Sequence, residues 1–272
     1  MIEVEILPAR MSSADTWQLR RAVGLIEKNS LATRLTRALG GQVEALGRAL
    51  PSPARRAVAF ATEKAMKLAL RVALRTLGPD RGSGRSSDRM HKVAAAASGA
   101  VGGAFGVAAL AVELPVSTTI LLRSIAEIAR SEGEDLANPE ARLACVEVFA
   151  LGGHEDDEAG VESGYLAARA MLAQSVGESA KFLLKTGLAG ETAPVVVRLI
   201  SQVAARFGVA VSEKLAAQAV PILGAVGGAA VNAAFADHFQ ALARGHFIVR
   251  RLERHYGAEF VHDAYRRVAA EA

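Results

Sequence analysis

The sequence predicts an all-α protein, and three observations support this. Hydrophobic residues make up 51% of the 272-residue chain but aromatic residues only 5%, because Ala and Gly are abundant. The alternation of β-branched and aromatic residues that is typical of strands is almost absent. Apolar residues recur instead at helical spacing between Gly, Pro and Asn breaks. We therefore expect a multi-helix bundle whose small residues let the helices pack closely.

Two uncharged, Ala/Gly-rich runs, residues 93–112 and 215–236, are expected to form helical hairpins at the centre of this bundle. The hexapeptide GAVGGA occurs in both, at 99–104 and 224–229. This recurrence suggests either an internal repeat or a chance match in an Ala/Gly-rich chain. The first run is long enough to cross a hydrocarbon layer of ~30 Å, but it holds few strongly apolar residues. A buried hairpin and a membrane-inserted one both remain open.

Helix boundaries are predicted from Pro, Gly and Asn. Pro115 predicts a kink or a new helix start, with the hydroxyl residues 117–119 as its caps. Gly177 and Gly208 each predict the end of a helix. Asn138, followed by a proline, predicts the beginning of another.

The single cysteine and the single tryptophan are both expected to be buried. Cys145 lies among apolar residues, and one cysteine cannot form an intrachain disulfide. Trp17 lies at the entry of the first helix, where a buried packing staple is favoured over a membrane-interface anchor. The N-terminal residues lack the pattern of a signal peptide, so we expect a cytosolic chain or one on a cytosolic membrane face.

The net charge of +4 conceals a strong division along the chain. Residues 1–92 carry 17 Lys and Arg against 8 Asp and Glu, whereas residues 93–164 carry 3 against 12. Within the basic part, one predicted helix places its cations on a quarter-turn arc. Such a helix suits the surface of an anionic bilayer or an acidic partner, or it is simply a solvated face. The cations of this predicted membrane surface are Arg56, Lys64, Lys67, Arg71 and Arg75.

A set of polar residues flanks the apolar runs, where mutual pairing is expected more than catalysis. A hydrolase would use Glu113 and Asp237 with His238 or His246, and a metal site would join the two histidines to Glu113. The acidic segment HEDDE at 154–158 is expected to be a solvated loop rather than a metal site. No known catalytic, phosphate-binding or dinucleotide-binding motif occurs, so we predict no cofactor. The candidate polar cluster consists of Glu113, Arg123, Asn232, Asp237, His238, His246 and Arg250.

Three long blocks carry a family resemblance. They are ELPVSTTILLRSIAEIARSEGEDL, CVEVFALGG and PILGAVGGAAVNAAFADHFQALARGHFIVRRLERHYG. In this order they resemble the EcsC protein family over approximately residues 85–260. We therefore divide the chain into a basic helical N-terminal region, residues 1–84, and an EcsC-like helical domain, residues 85–272. The resemblance implies a bacterial protein of undefined biochemical role, related to one encoded beside the subunits of an ABC exporter.

The function expected from these observations is that of a membrane-associated, non-enzymatic accessory protein, peripheral or partly inserted. Its expected partner is an anionic membrane surface or the subunits of a membrane transporter. Nucleic acid is disfavoured because we find no aromatic residues interleaved with the basic stripe. One alternative is a soluble helical protein that binds a lipid or another hydrophobic ligand. The hydrolase is the other alternative.

Overall fold

The computed structural model describes residues 11–28, 30–38, 51–77, 106–152, 164–218 and 224–271. These residues form nine α-helices and a 3-10 turn, and none of them lies in a strand. The all-α prediction is confirmed. In chain order the helices are α1 (Ser13–Ile26), α2 (Leu31–Ala38), α3 (Ser52–Thr76), α4 (Gly106–Ser131), α5 (Pro139–Leu151), α6 (Gly164–Thr186), α7 (Pro194–Gln218), α8 (Gly224–Tyr256) and α9 (Ala258–Ala270), with the 3-10 turn Gly187–Thr192 between α6 and α7.

The longest helix, α8, organises the bundle. It contacts six other helices: α1, α2, α4, α5, α7 and α9. Helix α3 packs instead against α4, α5 and α7. The core between α5, α7 and α8 is built from four phenylalanine rings with centroids 4.9–6.0 Å apart: Phe149, Phe207, Phe235 and Phe239.

Small residues allow some of these helices to approach closely, as the composition predicted. A Cβ atom added at Gly245 of α8 would lie 2.6 Å from Cγ1 of Ile26 and 3.0 Å from the carbonyl oxygen of Ala22. Both contacts are shorter than ordinary van der Waals distance, so only glycine fits the α1–α8 crossing without displacing α1.

The prediction of a break at Pro115 was wrong in part, because α4 runs through the proline without interruption. The hydroxyl residues that follow do not cap a new helix. The Ser117 hydroxyl donates to the carbonyl oxygen of Leu114 at 3.2 Å, and that of Thr119 to the carbonyl oxygen of Pro115 at 2.8 Å. Such bonds to the preceding turn are typical of Ser and Thr inside helices. Packing of α4 on its neighbours therefore outweighs the hydrogen bond that Pro115 removes.

The helix ends predicted at Gly177 and Gly208 were also wrong. Both residues lie inside continuous helices, α6 and α7. A glycine in a helix interior costs only about 1 kcal/mol relative to alanine, so tertiary packing readily overrides it. By contrast, Asn138 does cap α5, since its side-chain oxygen accepts from the backbone nitrogen of Glu140 at 2.9 Å.

The only cysteine and the only tryptophan of the chain differ in burial. Cys145 is fully buried, as predicted, and burial raises the pKa of its thiol to about 12. Trp17 is not buried: 59% of its surface is exposed on α1, where the guanidinium of Arg21 lies 5.8 Å from its ring. The expectation of a buried staple was wrong.

The structure describes only one of the two GAVGGA hexapeptides. The second hexapeptide, residues 224–229, forms the first turns of α8. The first hexapeptide, residues 99–104, and the domain boundary after residue 84 both lie outside the described residues. The paired hairpins and the domain boundary therefore stay predictions.

Candidate functional site

The clearest candidate site is one face of α3, which we call the basic face: Arg56, Lys64, Lys67, Arg71 and Arg75. All five side chains are exposed, whereas Val58, Ala61 and Ala65 on the opposite side are buried. The division follows from the helical period, since residues four and seven apart lie on the same side. All five cations are therefore exposed on one side of α3, which fits both a membrane surface and a solvated face, and the membrane surface stays a prediction.

Ion pairs neutralise this face only in part. Lys67 pairs with Glu63 at 2.6 Å, and Glu191 lies 3.5 Å from Arg71 and 3.4 Å from Arg75. These lysine and arginine side chains remain at least half exposed, so each pair contributes about 1 kcal/mol or less and leaves the cation accessible. Within the described part of the chain, Arg56 and Lys64 form no ion pair.

An aromatic residue stands in the middle of the basic face. Phe60 lies one turn after Arg56 and one turn before Lys64, and 64% of its surface is exposed. The sequence analysis missed it and stated that the stripe lacks aromatic residues. The signal was present, because 100° per residue places Phe60 between Arg56 and Arg71 on the arc. An apolar side chain among cations is the pattern of helices that lie on membrane surfaces.

The candidate polar cluster does not form one site. Glu113 of α4 accepts a hydrogen bond from Lys214 of α7 at 2.8 Å, and both side chains are more than nine-tenths buried. The ammonium group of Lys214 also lies 5.2 Å from the ring centroid of Phe235. Burial lowers the pKa of Lys214, and the carboxylate of Glu113 opposes that shift. Lys214 is a partner of Glu113 that the sequence analysis did not single out.

His246 lies in the fully buried part of α8. Its Nδ1 atom is 3.1 Å from the hydroxyl of Tyr165, and its Nε2 atom has no hydrogen-bond partner among the residues that the structure describes. Burial, with Arg169 and Arg250 nearby, holds the pKa of His246 well below its usual range. The imidazole is therefore neutral at physiological pH, and its surroundings do not favour a positive charge.

A network of ion pairs surrounds His246 and joins five segments. Arg169 of α6 donates two hydrogen bonds to Glu253 of α8, at 2.6 and 3.0 Å, and His262 of α9 lies 2.8 Å from the same carboxylate. At the loop after α4, Glu134 accepts from Arg250 at 2.8 Å and from Arg254. Glu147 of α5 is buried beside Arg169 and Arg250, and burial raises its pKa.

The other members of the candidate cluster lie in different settings. Arg123 is exposed on α4, Asn232 and His238 are buried in α8, and the half-buried Asp237 lies near Arg34 of α2. Glu113, His246 and Arg250 each bind residues outside the predicted set. Glu113 and Arg250 pair charges between different segments of the chain, whereas the neutral His246 contacts the hydroxyl of Tyr165.

The structure argues against the metal site and against a hydrolase that joins Glu113 to His246. Glu113 binds Lys214, which lies over Phe235, and His246 follows Phe235 by eleven residues on α8, roughly 16 Å along the helix axis. The form of the hydrolase hypothesis that uses His238, three residues after Phe235, stays an untested prediction. Across the described ranges, no three His, Cys, Asp or Glu residues are placed to hold a metal ion. The HEDDE segment lies outside those ranges.

One described helix, α7 (Pro194–Gln218), is long and apolar enough to cross a membrane. Its most apolar window is 44% buried inside the protein, and the helix carries the buried Lys214. A single such helix is weak support for insertion, because core helices of soluble proteins have the same composition.

The geometry thus defines a class: an all-α bundle with paired charges in its interior and an exposed basic helix on its surface. Comparison with known families matches residues 21–252 to the EcsC protein family. The chain belongs to this family. The match includes α2 and α3, which the sequence resemblance had left out. No curated protein and no solved structure matches the chain.

Proposed function

We propose that this EcsC family member is a peripheral membrane accessory protein that binds an anionic bilayer surface through the basic face of α3. The observation that carries the proposal is the exposure of five cations and Phe60 on one face of a helix whose other face is buried. We place the protein on the cytoplasmic side of a bacterial inner membrane.

The electrostatic contribution is sufficient for reversible binding. A Lys or Arg near an anionic headgroup layer contributes roughly 1 kcal/mol, and a bilayer can contact all five cations at once. The bundle need not open, because the packing face of α3 is not required for binding. The weaker alternative, insertion of α7, would expose the buried Lys214 and leave Glu113 without its partner.

A transporter subunit is the second partner that the family suggests. An acidic protein surface would also be attracted by the basic face. We favour the bilayer because the cations extend along about five turns of one helix with an apolar residue between them, as in helices that lie on membranes.

The test is flotation with vesicles of anionic or zwitterionic phospholipid, at low and high salt. Wild-type protein should float with anionic but not zwitterionic vesicles, and more strongly at low salt than at high salt. The variant Arg56→Gln, Lys64→Gln, Lys67→Gln should lose most binding, by a factor of about 100. A matched control, Lys28→Gln, Lys181→Gln, Lys185→Gln, removes the same charge from other exposed positions and should retain binding.

Three results would contradict the proposal. Equal loss in both triple variants would show that only net charge matters. Flotation that resists carbonate extraction would indicate an inserted protein. Absence of flotation would favour the soluble alternative, and native mass spectrometry for a co-purified hydrophobic ligand would follow.

A further inference from the structure

Helix α4 carries two exposed valines. Val112 is 71% and Val116 49% exposed, although Leu114, Leu121 and Leu122 of the same helix are buried. The two valines are four residues apart and therefore share one face. Arg123, seven residues after Val116, lies exposed on that face too.

The packing register places these valines at the same height along the bundle as the first turns of the basic face. Helix α3 runs antiparallel to α7, because Thr62 faces Gly208 while Arg75 faces Glu191, just before α7 begins. Glu113 of α4 pairs with Lys214, six residues beyond Gly208.

On α3, the level of Glu113 corresponds to about six residues before Thr62, near Arg56. Helix α4 runs in the same direction as α3, because Arg142, which follows α4, donates to the carbonyl oxygen of Leu74 near the end of α3 at 2.9 Å. Val112 therefore lies at about the level of Arg56, and Val116 at about the level of Phe60, on two helices in direct contact.

We propose that Phe60, Val112 and Val116 form an apolar insertion edge that enters the boundary between headgroups and acyl chains of an anionic bilayer. This inference rests on the proposed function and specifies its contact. The cations beside the edge, Arg56, Lys64 and Arg123, remain at headgroup level, as long basic side chains do at interfaces. Binding is then partly hydrophobic, so a weaker residual affinity persists when salt screens the charges.

The experiment uses a single-tryptophan protein, Trp17→Phe with Phe60→Trp, since Trp17 is the only native tryptophan. On anionic vesicles its emission should shift to the blue and be quenched by lipids brominated near the headgroup. The matched control, Trp17→Phe with Leu184→Trp, reports an equally exposed apolar position on α6 and should not respond. Circular dichroism confirms that both proteins fold.

A second measurement compares partition constants. The variant Phe60→Ala, Val112→Ser, Val116→Ser should bind anionic vesicles about tenfold or more weakly than wild type, and Leu184→Ser should bind normally. The larger difference is expected at high salt, where the apolar contribution dominates.

The outcomes distinguish the insertion edge from the proposed function, which is membrane binding through the basic face. If wild-type protein does not float, both are wrong. If it floats with salt-sensitive binding but the tryptophan introduced at position 60 does not respond, the charged contact stands and the insertion edge is wrong. Emission that is already blue-shifted without vesicles would show that another segment of the chain covers the edge, which also overturns it.

Discussion

The interior of the bundle and the outer face of α3 use the same charged residue types in opposite ways. Around α8, Arg169, Arg250 and Lys214 each lie within 2.8 Å of a carboxylate in a buried setting. On α3, Arg56 and Lys64 are exposed and Lys67 pairs only with a neighbour on its own helix. Buried charges must be paired because desolvation is costly, whereas exposed charges are free to meet a partner. We therefore assign stability to the first region and binding to the second.

The largest effect should come from breaking the Arg169 and Glu253 pair. Arg169→Met removes the guanidinium that binds Glu253 through two hydrogen bonds and lies beside Glu147, and should cost about 3–5 kcal/mol of unfolding free energy. Lys67→Met on the basic face should change it by no more than about 0.5 kcal/mol. Urea denaturation of both variants measures the change in the free energy of unfolding. Similar losses in the two variants would contradict the assignment of stability to the interior charges and not to the basic face.

The buried pair of Lys214 and Glu113 should show coupling. Lys214→Met alone should cost about 3 kcal/mol, because Glu113 would be left buried and unpaired. Adding Glu113→Gln should restore about 1–3 kcal/mol of that loss. A double-mutant cycle in urea measures the coupling. Strictly additive losses would mean that the pair is not energetically important.

An added methyl group should destabilise the protein at a buried glycine but not at a glycine with open space around it. Gly245→Ala should cost about 1–3 kcal/mol, because the new methyl group overlaps Ile26 and the backbone of Ala22. Gly177→Ala should instead stabilise by about 0.5–1 kcal/mol, since nothing described lies within 4 Å and alanine favours the helix. Thermal unfolding of both variants tests the packing. Stabilisation by Gly245→Ala would show that α1 and α8 are not closely packed.

The smallest effect concerns pH. His246 stays neutral in the folded protein, because its pKa there is well below its usual value, but in the unfolded chain it gains a proton near pH 6.5. Its contribution to stability is therefore complete above pH 6.5 and is lost as the pH falls, by up to about 1.4 kcal/mol per pH unit.

His246→Gln should reduce this slope below about pH 6.5, because the pKa of His246 in the folded protein lies well below its unfolded value. An unaltered slope in His246→Gln would mean that another group causes the acid sensitivity.

Sequence analysis predicted local features well. Periodicity and caps identified the basic face of α3 and the start of α5 at Asn138, because these depend on residues within a few turns. Phe60 could have been found by the same rule. The helix breaks predicted from Pro115, Gly177 and Gly208 were wrong. The free energy that these residues cost a helix is small compared with the free energy gained when a long helix packs on its neighbours.

The buried pairs could not have been predicted. Arg169 and Glu253 are 84 residues apart, and Glu113 and Lys214 are 101 apart. Only the arrangement of helices in space brings such residues together. The sequence showed that charges interrupt apolar runs and must be paired, but not which residues form the pairs.

The central claim is that α3 meets the membrane while the buried charges do not, and lysine footprinting tests it directly. Protein is labelled with an amine-reactive reagent, with and without anionic vesicles, and each lysine is quantified by mass spectrometry. We predict that Lys64 and Lys67 lose reactivity on vesicles, that Lys181 and Lys185 keep theirs, and that the buried Lys214 stays unlabelled throughout. Protection of Lys181 and Lys185 with no change at Lys64 and Lys67 would contradict the account.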